Sequence, residues 1–321
     1  MKKALLLFLV IVLTLFTAAC GNNATTNVAK QEKDNRIQIY TTVYPLQYFA
    51  EQIGGDAVHV SSIYPPGSNE HSFEPTQQDM MALADADMFF YIGLGLEGFV
   101  ENAKKTLAKE HVKMIATADA VPKDQLEANE HEEESDDEHN DEHDHEHGKI
   151  DPHVWISPLI SQSLALSIKD SLVEAAPNQK EKFEKNYEEL IAQLKQLDAS
   201  FKEMAQNAPN KTFFVSHEAF GYLAHEYGLE QIAVAGLNSQ DEPSQKQLTK
   251  IIDLAKEKDI KYILFEQNVS SKLTEVIKKE IGAKSLVLHN LSVLSKNDIE
   301  NNETYFTLMN KNLETLKTVL K

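Results

Sequence analysis

Cysteine is almost absent from this 321-residue chain, which contains one, at Cys20. One thiol cannot form an intramolecular disulfide, so the fold must depend on its hydrophobic core. A basic excess is absent too: the net charge is −19, which argues against a nucleic-acid partner because phosphates attract Lys and Arg. The chain also lacks the HExxH and GxSxG motifs of zinc proteases and serine hydrolases, which disfavours a hydrolase.

Long apolar runs are scarce as well. The longest, residues 4–16, has thirteen residues, fewer than the roughly 20 that a membrane-spanning helix needs. Two lysines precede this run and small residues follow it, as in a secretory signal. Residues 1–19 are therefore predicted to be a signal peptide.

The lone cysteine follows directly, where cleavage would leave it as the new N-terminus. The stretch resembles a bacterial lipobox, which implies that Cys20 is lipidated, although Thr17 stands where such motifs usually have Leu. An ordinary signal peptide with an incidental cysteine is the alternative. Residues 20–36 are polar and aperiodic, and we expect them to form a flexible tether.

Histidine and acidic residues are crowded into residues 131–147, which hold five histidines and ten carboxylates. Such a composition cannot fill a core, so residues 124–149 are predicted to be a disordered loop. Imidazole is a common ligand of zinc-like metals, which favours weak, multi-site metal binding over the alternative of a purely solubilising acidic tract. The histidines concerned are His131, His139, His143, His145 and His147.

Short apolar β-rich runs alternate with helical patterns on both sides of this segment. A mature chain of about 300 residues predicts two domains, and strands that alternate with helices predict parallel sheets covered by helices. The predicted strands are 37–43, 58–64, 87–92, 112–115, 212–216, 231–235, 262–265 and 285–288. The predicted helices between and after them are 46–53, 76–84, 98–107, 219–227, 244–256, 272–281 and 303–320.

The centre of the chain has a different pattern. Ser157 and Pro158 are typical of a helix start, and apolar residues then recur every three or four positions over residues 178–207. That second helix would be about 45 Å long. We therefore predict an α/β fold of two lobes, 37–157 and 209–321, joined by linking helices over 158–208.

Seven histidines lie outside the acidic segment, and three of them follow predicted strands or precede a helix cap: His71, His153 and His217. Ligands of open α/β sheets bind beyond the carboxyl ends of the strands, so these three could meet only in a cleft between the lobes. The alternative is that each is a solvated loop histidine that binds no metal, or, for His217, a residue that caps a helix. Of the other four, His59, His111 and His225 are interpreted as structural. His289 ends the last predicted strand and is a less favoured candidate ligand.

Five stretches carry a family resemblance: YTTVYPLQYFAEQIGGD, YPPGSNEHSFEPTQQD, ADADMFFYIGLGLEGF, DPHVWISP and FFVSHEAFGYLAHEYGL. They resemble the solute-binding lipoproteins of bacterial zinc and manganese ABC importers, from residue 37 to the C-terminus. The resemblance implies a metal site between two α/β lobes braced by a rigid helix. His71, His153 and His217 match the family's three metal histidines. An imidazole at the third position suits zinc better than manganese.

The fourth ligand departs from the family pattern. Many members have a carboxylate just beyond the last strand, where this chain has Asn290 and Ser292. Glu70, beside His71, resembles the glutamate that some zinc-binding members offer, and it is the tentative fourth ligand. Glu266, Asn290 and water are the other possibilities.

The resemblance implies an extracytoplasmic, lipid-anchored monomer that binds Zn²⁺ as transported ligand and delivers it to a membrane permease with its ATPase. On this hypothesis the chain is not an enzyme. The alternatives are a manganese-binding importer component, an extracellular zinc hydrolase, and a metal-dependent adhesin or metal buffer.

Overall fold

The computed structural model describes residues 35–127, 130–131, 149–240, 243–267 and 272–321, with only the backbone at residues 130, 131 and 149. The predicted signal peptide, Cys20 and the histidines at 139, 143, 145 and 147 lie outside the described residues. No helix in the described part of the chain is long and apolar enough to cross a membrane.

The first lobe is a four-stranded parallel sheet with the order β2-β1-β3-β4. All four residues of β3 are buried, as expected for an inner parallel strand covered on both faces. The strands are β1 (Ile37–Thr41), β2 (Val58–Ser62), β3 (Met88–Tyr91) and β4 (Lys113–Ala116), and the helices are α1 (Tyr44–Gly54), α2 (Gln77–Ala84), α3 (Val100–Thr106) and α4 (Lys123–Glu127).

A pair of two-residue strands follows the first lobe. β5 (Glu130–His131) pairs antiparallel with β6 (Lys149–Ile150), so the two ends of the acidic segment lie side by side. The prediction of disorder over 124–149 is therefore wrong at both margins, where α4 and this ladder occur. Apolar Leu126 anchors the first margin, because its side chain is buried. The interior of the segment lies outside the described residues.

The second lobe is also a four-stranded parallel sheet, with the order β10-β9-β7-β8. Its strands are β7 (Thr212–His217), β8 (Glu230–Ala235), β9 (Tyr262–Phe265) and β10 (Lys284–Val287). Its helices are α7 (Gly221–Glu226), α8 (Gln245–Glu257), α9 (Lys272–Ile281), α10 (Lys296–Glu300) and α11 (Tyr305–Val319). All eight predicted sheet strands are confirmed, whereas α10, which starts at a Ser295–Asp298 capping box, was not predicted.

Two helices connect the lobes: α5 (Pro158–Ala175) and α6 (Lys180–Asn207). Ser157 caps α5, since its side chain accepts a hydrogen bond from the Ile160 N–H at 3.2 Å. The 28 residues of α6 extend about 42 Å, and the predicted apolar stripe forms its buried face. The predicted two-lobe α/β fold with a long connecting helix is confirmed.

One hydrophobic core runs through both lobes and the linking helices. It includes Phe89 of the first sheet, Phe201 of α6 and Phe213 of the second sheet, all fully buried. A smaller cluster around Phe214 and Ile263 fills the other face of the second sheet under α8 and α9. The lobes therefore share a core along the linking helices.

Candidate metal centre

The three predicted histidines come from different segments. His71 lies in the loop between β2 and α2, His153 directly precedes a 3₁₀ turn (Val154–Ile156), and His217 is the last residue of β7. His71 and His217 both lie at the carboxyl ends of strands in their respective sheets. These are the edges at which the two lobes face each other. His153 and His217 are fully buried, while His71 keeps a small exposed area.

The three imidazoles converge on one point. Their ring centroids are 5.2 Å apart for His71 and His153, 5.2 Å for His71 and His217, and 4.9 Å for His153 and His217. The Nε2 atoms of His71 and His153 are 3.3 Å apart. Two nitrogens on a tetrahedral zinc at 2.0–2.1 Å would be separated by about 3.3–3.4 Å. This pair therefore already has the spacing of two tetrahedral ligands.

Two buried carboxylates lie within hydrogen-bond distance of Nδ1 in the two fully buried histidines, His153 and His217. Asp151 Oδ1 lies 2.7 Å from His153 Nδ1, and the two oxygens of Glu266 lie 3.0 and 3.1 Å from His217 Nδ1. A carboxylate that accepts the Nδ1–H fixes the tautomer and leaves Nε2 as the coordinating atom. Asp151 was not singled out from the sequence, although a carboxylate two residues before a ligand histidine in "DPH" was a usable signal.

Glu266 was predicted as a weaker candidate for the fourth ligand. It lies on the Nδ1 side of His217 instead, where it orients the ring. Among the described residues, the set of His, Cys, Asp and Glu ligand atoms that lie within 4.8 Å of one another consists of the three histidines. Neither Glu266 nor Glu70 belongs to this set.

Glu70 nevertheless lies beside His71. Its Oε1 lies 4.0 Å from His71 Nε2 and accepts a hydrogen bond from Asn290 Nδ2 at 3.0 Å. Its Oε2 is buried and has no hydrogen-bond partner. A buried carboxylate oxygen without a partner is costly, and a cation bound beside it would offset that cost.

Asn290 does not offer an oxygen to this point. Its Oδ1 accepts hydrogen bonds from the N–H and the Oγ–H of Ser292, at 3.0 and 2.9 Å. The less favoured candidate His289 is engaged as well: its Nδ1 accepts the Leu291 N–H at 2.8 Å, and its Nε2 lies 3.4 Å from Asp298 Oδ2.

Three other histidines lie at exposed positions away from this site. His59 lies in β2, His225 lies in α7, His111 precedes β4, and all three are exposed. None of them belongs to the convergent set. The structure thus brings together the three histidines that were singled out and leaves the others apart.

The pKa values of the three imidazoles diverge. Burial, together with the other two rings, lowers the pKa of His71 to about 3, and burial lowers the pKa of His153 well below 6.5. Burial also lowers the pKa of His217, but the charge and hydrogen bond of Glu266 outweigh it and raise that pKa to about 9. Without metal, two rings are neutral at pH 7 and the third is protonated.

The proton on His217 has a defined acceptor. The Leu237 carbonyl oxygen lies 2.9 Å from His217 Nε2, so the protonated ring donates to it. A zinc ion at about 2.0 Å from the same nitrogen would occupy the direction that this carbonyl now takes. Metal coordination by His217 therefore requires loss of the proton and withdrawal of Leu237.

A cavity of about 330 Å³ opens beside His71. His71 contributes to its wall, the loop around Gly95 closes one side, and Leu237 and Asn238 close the other. Asn69 and Ser239 form a hydrogen bond across the lobes at 3.1 Å, beside this opening. An ion that enters through the cavity meets His71 first.

Comparisons with known proteins identify the family of this chain. Residues 39–319 match the family described as "Zinc-uptake complex component A periplasmic". The chain belongs to this family of solute-binding transport proteins.

Two relatives are similar over nearly all of this chain. The high-affinity zinc uptake system protein ZnuA of Bacillus subtilis is 39% identical over 319 residues, which cover 99% of this chain and 98% of that protein. The zinc-binding lipoprotein AdcA of Streptococcus pneumoniae strain R6 is 38% identical over 99% of this chain, but the chain spans only 61% of that longer protein.

A solved structure has the same fold. The Zn(II)-bound ZnuA-like domain of Streptococcus pneumoniae AdcA superposes with a TM-score of 0.71 and 35% identity, covering 89% of this chain and 99% of that domain.

Proposed function

We propose that this chain captures Zn²⁺ outside the cytoplasm and delivers it to the permease of an ABC importer. The observation that carries the proposal is the convergence of the His71, His153 and His217 rings, with one Nε2 pair at 3.3 Å. Membership of the zinc-uptake family and the similarity to the Bacillus subtilis zinc uptake protein support the same conclusion.

The ligand set favours zinc over manganese. Three imidazoles suit zinc, whereas manganese prefers carboxylates, carbonyls and water. We propose Glu70 as the fourth ligand, through the Oε2 atom that lacks a partner. A set of three neutral imidazoles and one carboxylate leaves the bound ion with a net positive charge that Glu266 and Asp151 offset from behind the rings.

Capture proceeds through the residues that face the cavity. His71 stays neutral because its pKa is about 3, so it can accept the ion at the entrance without first losing a proton. The ion then displaces the proton of His217 and the Leu237 carbonyl, and the two neutral rings of His71 and His153 complete the set. Asp151 and Glu266 keep the Nε2 atoms aimed inward throughout.

The decisive experiment is metal analysis of the mature protein purified without chelators. We expect one tightly held zinc per chain, with additional weaker ions held by the acidic segment at residues 131–147. A protein that emerges metal-free and fails to compete with a zinc chelator would refute the proposal. Zinc-dependent turnover of peptides or esters, instead of stoichiometric capture, would favour the hydrolase alternative.

The anchor is part of the proposal. We infer that Cys20 becomes the lipidated N-terminus after removal of residues 1–19 and that residues 20–36 tether the lobes to the membrane. The lipobox-like stretch and the lipoprotein description of the streptococcal relative support this. Substitution Cys20→Ser should release the protein from the membrane fraction. Retention of that variant in the membrane would contradict lipidation at this residue.

A further inference from the structure

Asn290, in the loop after β10, has a hydrogen bond to the segment of each of the three metal histidines. Its amide Nδ2 donates to Glu70 Oε1 at 3.0 Å and to Glu266 Oε2 at 2.7 Å. Glu70 is the residue before His71, and Glu266 orients His217. The backbone carbonyl oxygen of Asn290 accepts the indole N–H of Trp155 at 2.7 Å, two residues beyond His153, and this bond does not depend on the side chain. The side chain is 2% exposed, so water cannot replace these contacts.

The orientation of the Asn290 amide follows from its neighbours. Its Oδ1 accepts from the Ser292 backbone N–H, which can only donate. The Nδ2 group must therefore face the carboxylates, and each of its two hydrogens has one carboxylate to donate to. A flipped amide would place Oδ1 against two carboxylates and leave the Ser292 N–H facing another donor.

The backbone beside Asn290 is unusual. Leu291 has φ +58°, a left-handed conformation that is uncommon for a residue other than glycine. Its N–H donates to His289 Nδ1 at 2.8 Å. Such a conformation persists where surrounding contacts over-determine it, and it is frequent at ligand sites. The loop thus holds Asn290 at this position against a local conformational cost.

We propose that Asn290 is a positioning residue of the metal site: its side-chain amide joins Glu70, the neighbour of His71, to Glu266, which orients His217, and so holds both carboxylates in place. Glu70 comes from the first lobe and Glu266 from the second. The two amide hydrogens of Asn290 lie between these carboxylates. They fix the orientation of both and reduce the repulsion between them. The hydrogen bond from Asn290 fixes the Glu70 carboxylate at the site, with Oε1 at 4.0 Å from His71 Nε2. This inference rests on the proposed zinc binding.

The test uses the mature protein with Asn290→Leu, which keeps the side-chain size, and Asn290→Ala, which removes it. Zinc affinity, measured by competition with a chelator, should fall by about 10–100-fold in both, the usual effect of losing a residue that orients ligands. Cobalt(II) bound to these variants should show a changed visible spectrum, because Glu70 is free to reorient.

Asn312→Ala is the matched control. Asn312 is equally buried and bonds to the His289 backbone at both ends of its amide, at 2.7 Å each, without touching a carboxylate. Its loss should lower the melting temperature of the metal-free protein while the zinc affinity and the cobalt spectrum stay native. If the control weakens zinc as much as the Asn290 variants do, Asn290 is merely structural.

A double-mutant cycle with Glu70→Gln separates positioning from an independent effect. If Asn290 acts through Glu70, the two substitutions remove the same interaction. The loss of zinc-binding free energy in the double variant should then be smaller than the sum of the losses in the two single variants. Strictly additive losses, or native affinity in both Asn290 variants, would overturn the inference. A wild-type protein without a tight zinc site would instead refute the proposed function, so the two failures are distinguishable.

Discussion

The individual histidines at this site have different roles because their surroundings differ. His71 and His153 are held neutral by burial, whereas His217 keeps a proton because Glu266 lies 3.0 Å from its Nδ1. That proton lies on Nε2 and points at the Leu237 carbonyl. If Nε2 of His217 is a zinc ligand, as proposed, zinc capture exchanges that proton for the ion.

The three histidines should each be essential, whereas a histidine outside the set should not. Replacing His153 by Ala removes a ligand and leaves Asp151 without its imidazole partner, so zinc affinity should fall by orders of magnitude. His225→Ala, an exposed histidine on α7, is the matched control and should bind normally. Chelator competition measures both, and native zinc affinity in His153→Ala would exclude the proposed site.

Zinc binding at pH 7.5 should release about one proton. The pKa of His217 is raised from 6.5 to about 9, so its protonated form stabilises the metal-free fold fully below pH 6.5, and this contribution is lost as pH rises through 9. Because the ion must displace that proton, zinc affinity should weaken about tenfold per pH unit below about pH 9. His71, with a pKa of about 3, does not compete in this range.

Calorimetry in buffers of different ionisation enthalpy counts the protons. Burial also raises the pKa of Glu70, so Glu70→Gln serves as the control: an unchanged count assigns the proton to His217. Release of two or three protons that persists in Glu70→Gln would mean that one or both of His71 and His153 are also charged in the metal-free protein, contrary to their lowered pKa values.

At the scale of elements, the site is assembled where the two sheets present their carboxyl ends to each other. β7 ends at His217, and the loop after β2 brings Glu70 and His71 to the same cleft. The pairing of β5 with β6 brings the ends of the acidic segment to the same side, three residues before His153. The segment is thus connected to the cleft, and the convergent set found among the described residues consists of His71, His153 and His217.

Removing the acidic segment should leave the tight zinc site intact. Residues 132–148 can be replaced by an Asn-Gly turn, because His131 and Lys149 are already paired antiparallel and a two-residue turn closes such a ladder. The shortened protein should keep one tight zinc and lose the weaker ions, since a polar segment pays an ordering cost on binding. Titration calorimetry distinguishes the two phases.

A second variant separates imidazole from charge. Substituting Asn for His139, His143, His145 and His147 keeps the ten carboxylates that raise the local cation concentration. We expect this variant to lose the weak sites and to retain the native rate of zinc capture at low ionic strength. Loss of the tight phase in either protein would locate the specific site in the segment.

For the whole molecule, the important feature is the shared core. Fully buried residues of both sheets and of α6 belong to one hydrophobic cluster, and α6 packs along its length against α5, α1 and α11. The lobes are therefore braced against large independent motion, and zinc binding should involve local shifts near Leu237 more than closure of the lobes.

Zinc should raise the unfolding temperature of the mature protein in a single transition. A ligand that binds only the folded state stabilises it by about 4 kcal/mol at a thousandfold excess over its dissociation constant. Because the core is continuous, both lobes should shift together in a calorimetric scan. His153→Ala should show no shift, and two separate transitions, of which only one responds to zinc, would contradict a shared core.

Much of this architecture is readable in the linear chain because it depends on local patterns. Apolar runs such as Met88–Tyr91 mark the strands, three- and four-residue spacing marks α6, and Ser157 with Pro158 marks the start of α5. The three histidines stood out for the same reason, since the ends of strands are recognisable positions. The short helix α10 and the β5–β6 ladder were missed because so few residues carry too little periodicity.

The environment of those histidines depends on contacts between residues far apart in the chain. Glu266 orients His217 across 49 positions, and Asn290 reaches Glu70 across 220. No local pattern distinguishes a carboxylate that faces a ring's Nδ1 from one that faces the metal, so Glu266 could be named as a candidate but not assigned its position. Which nitrogen carries a proton, and which oxygen of Glu70 is left without a partner, follows from how the two sheets pack around one another's strand ends.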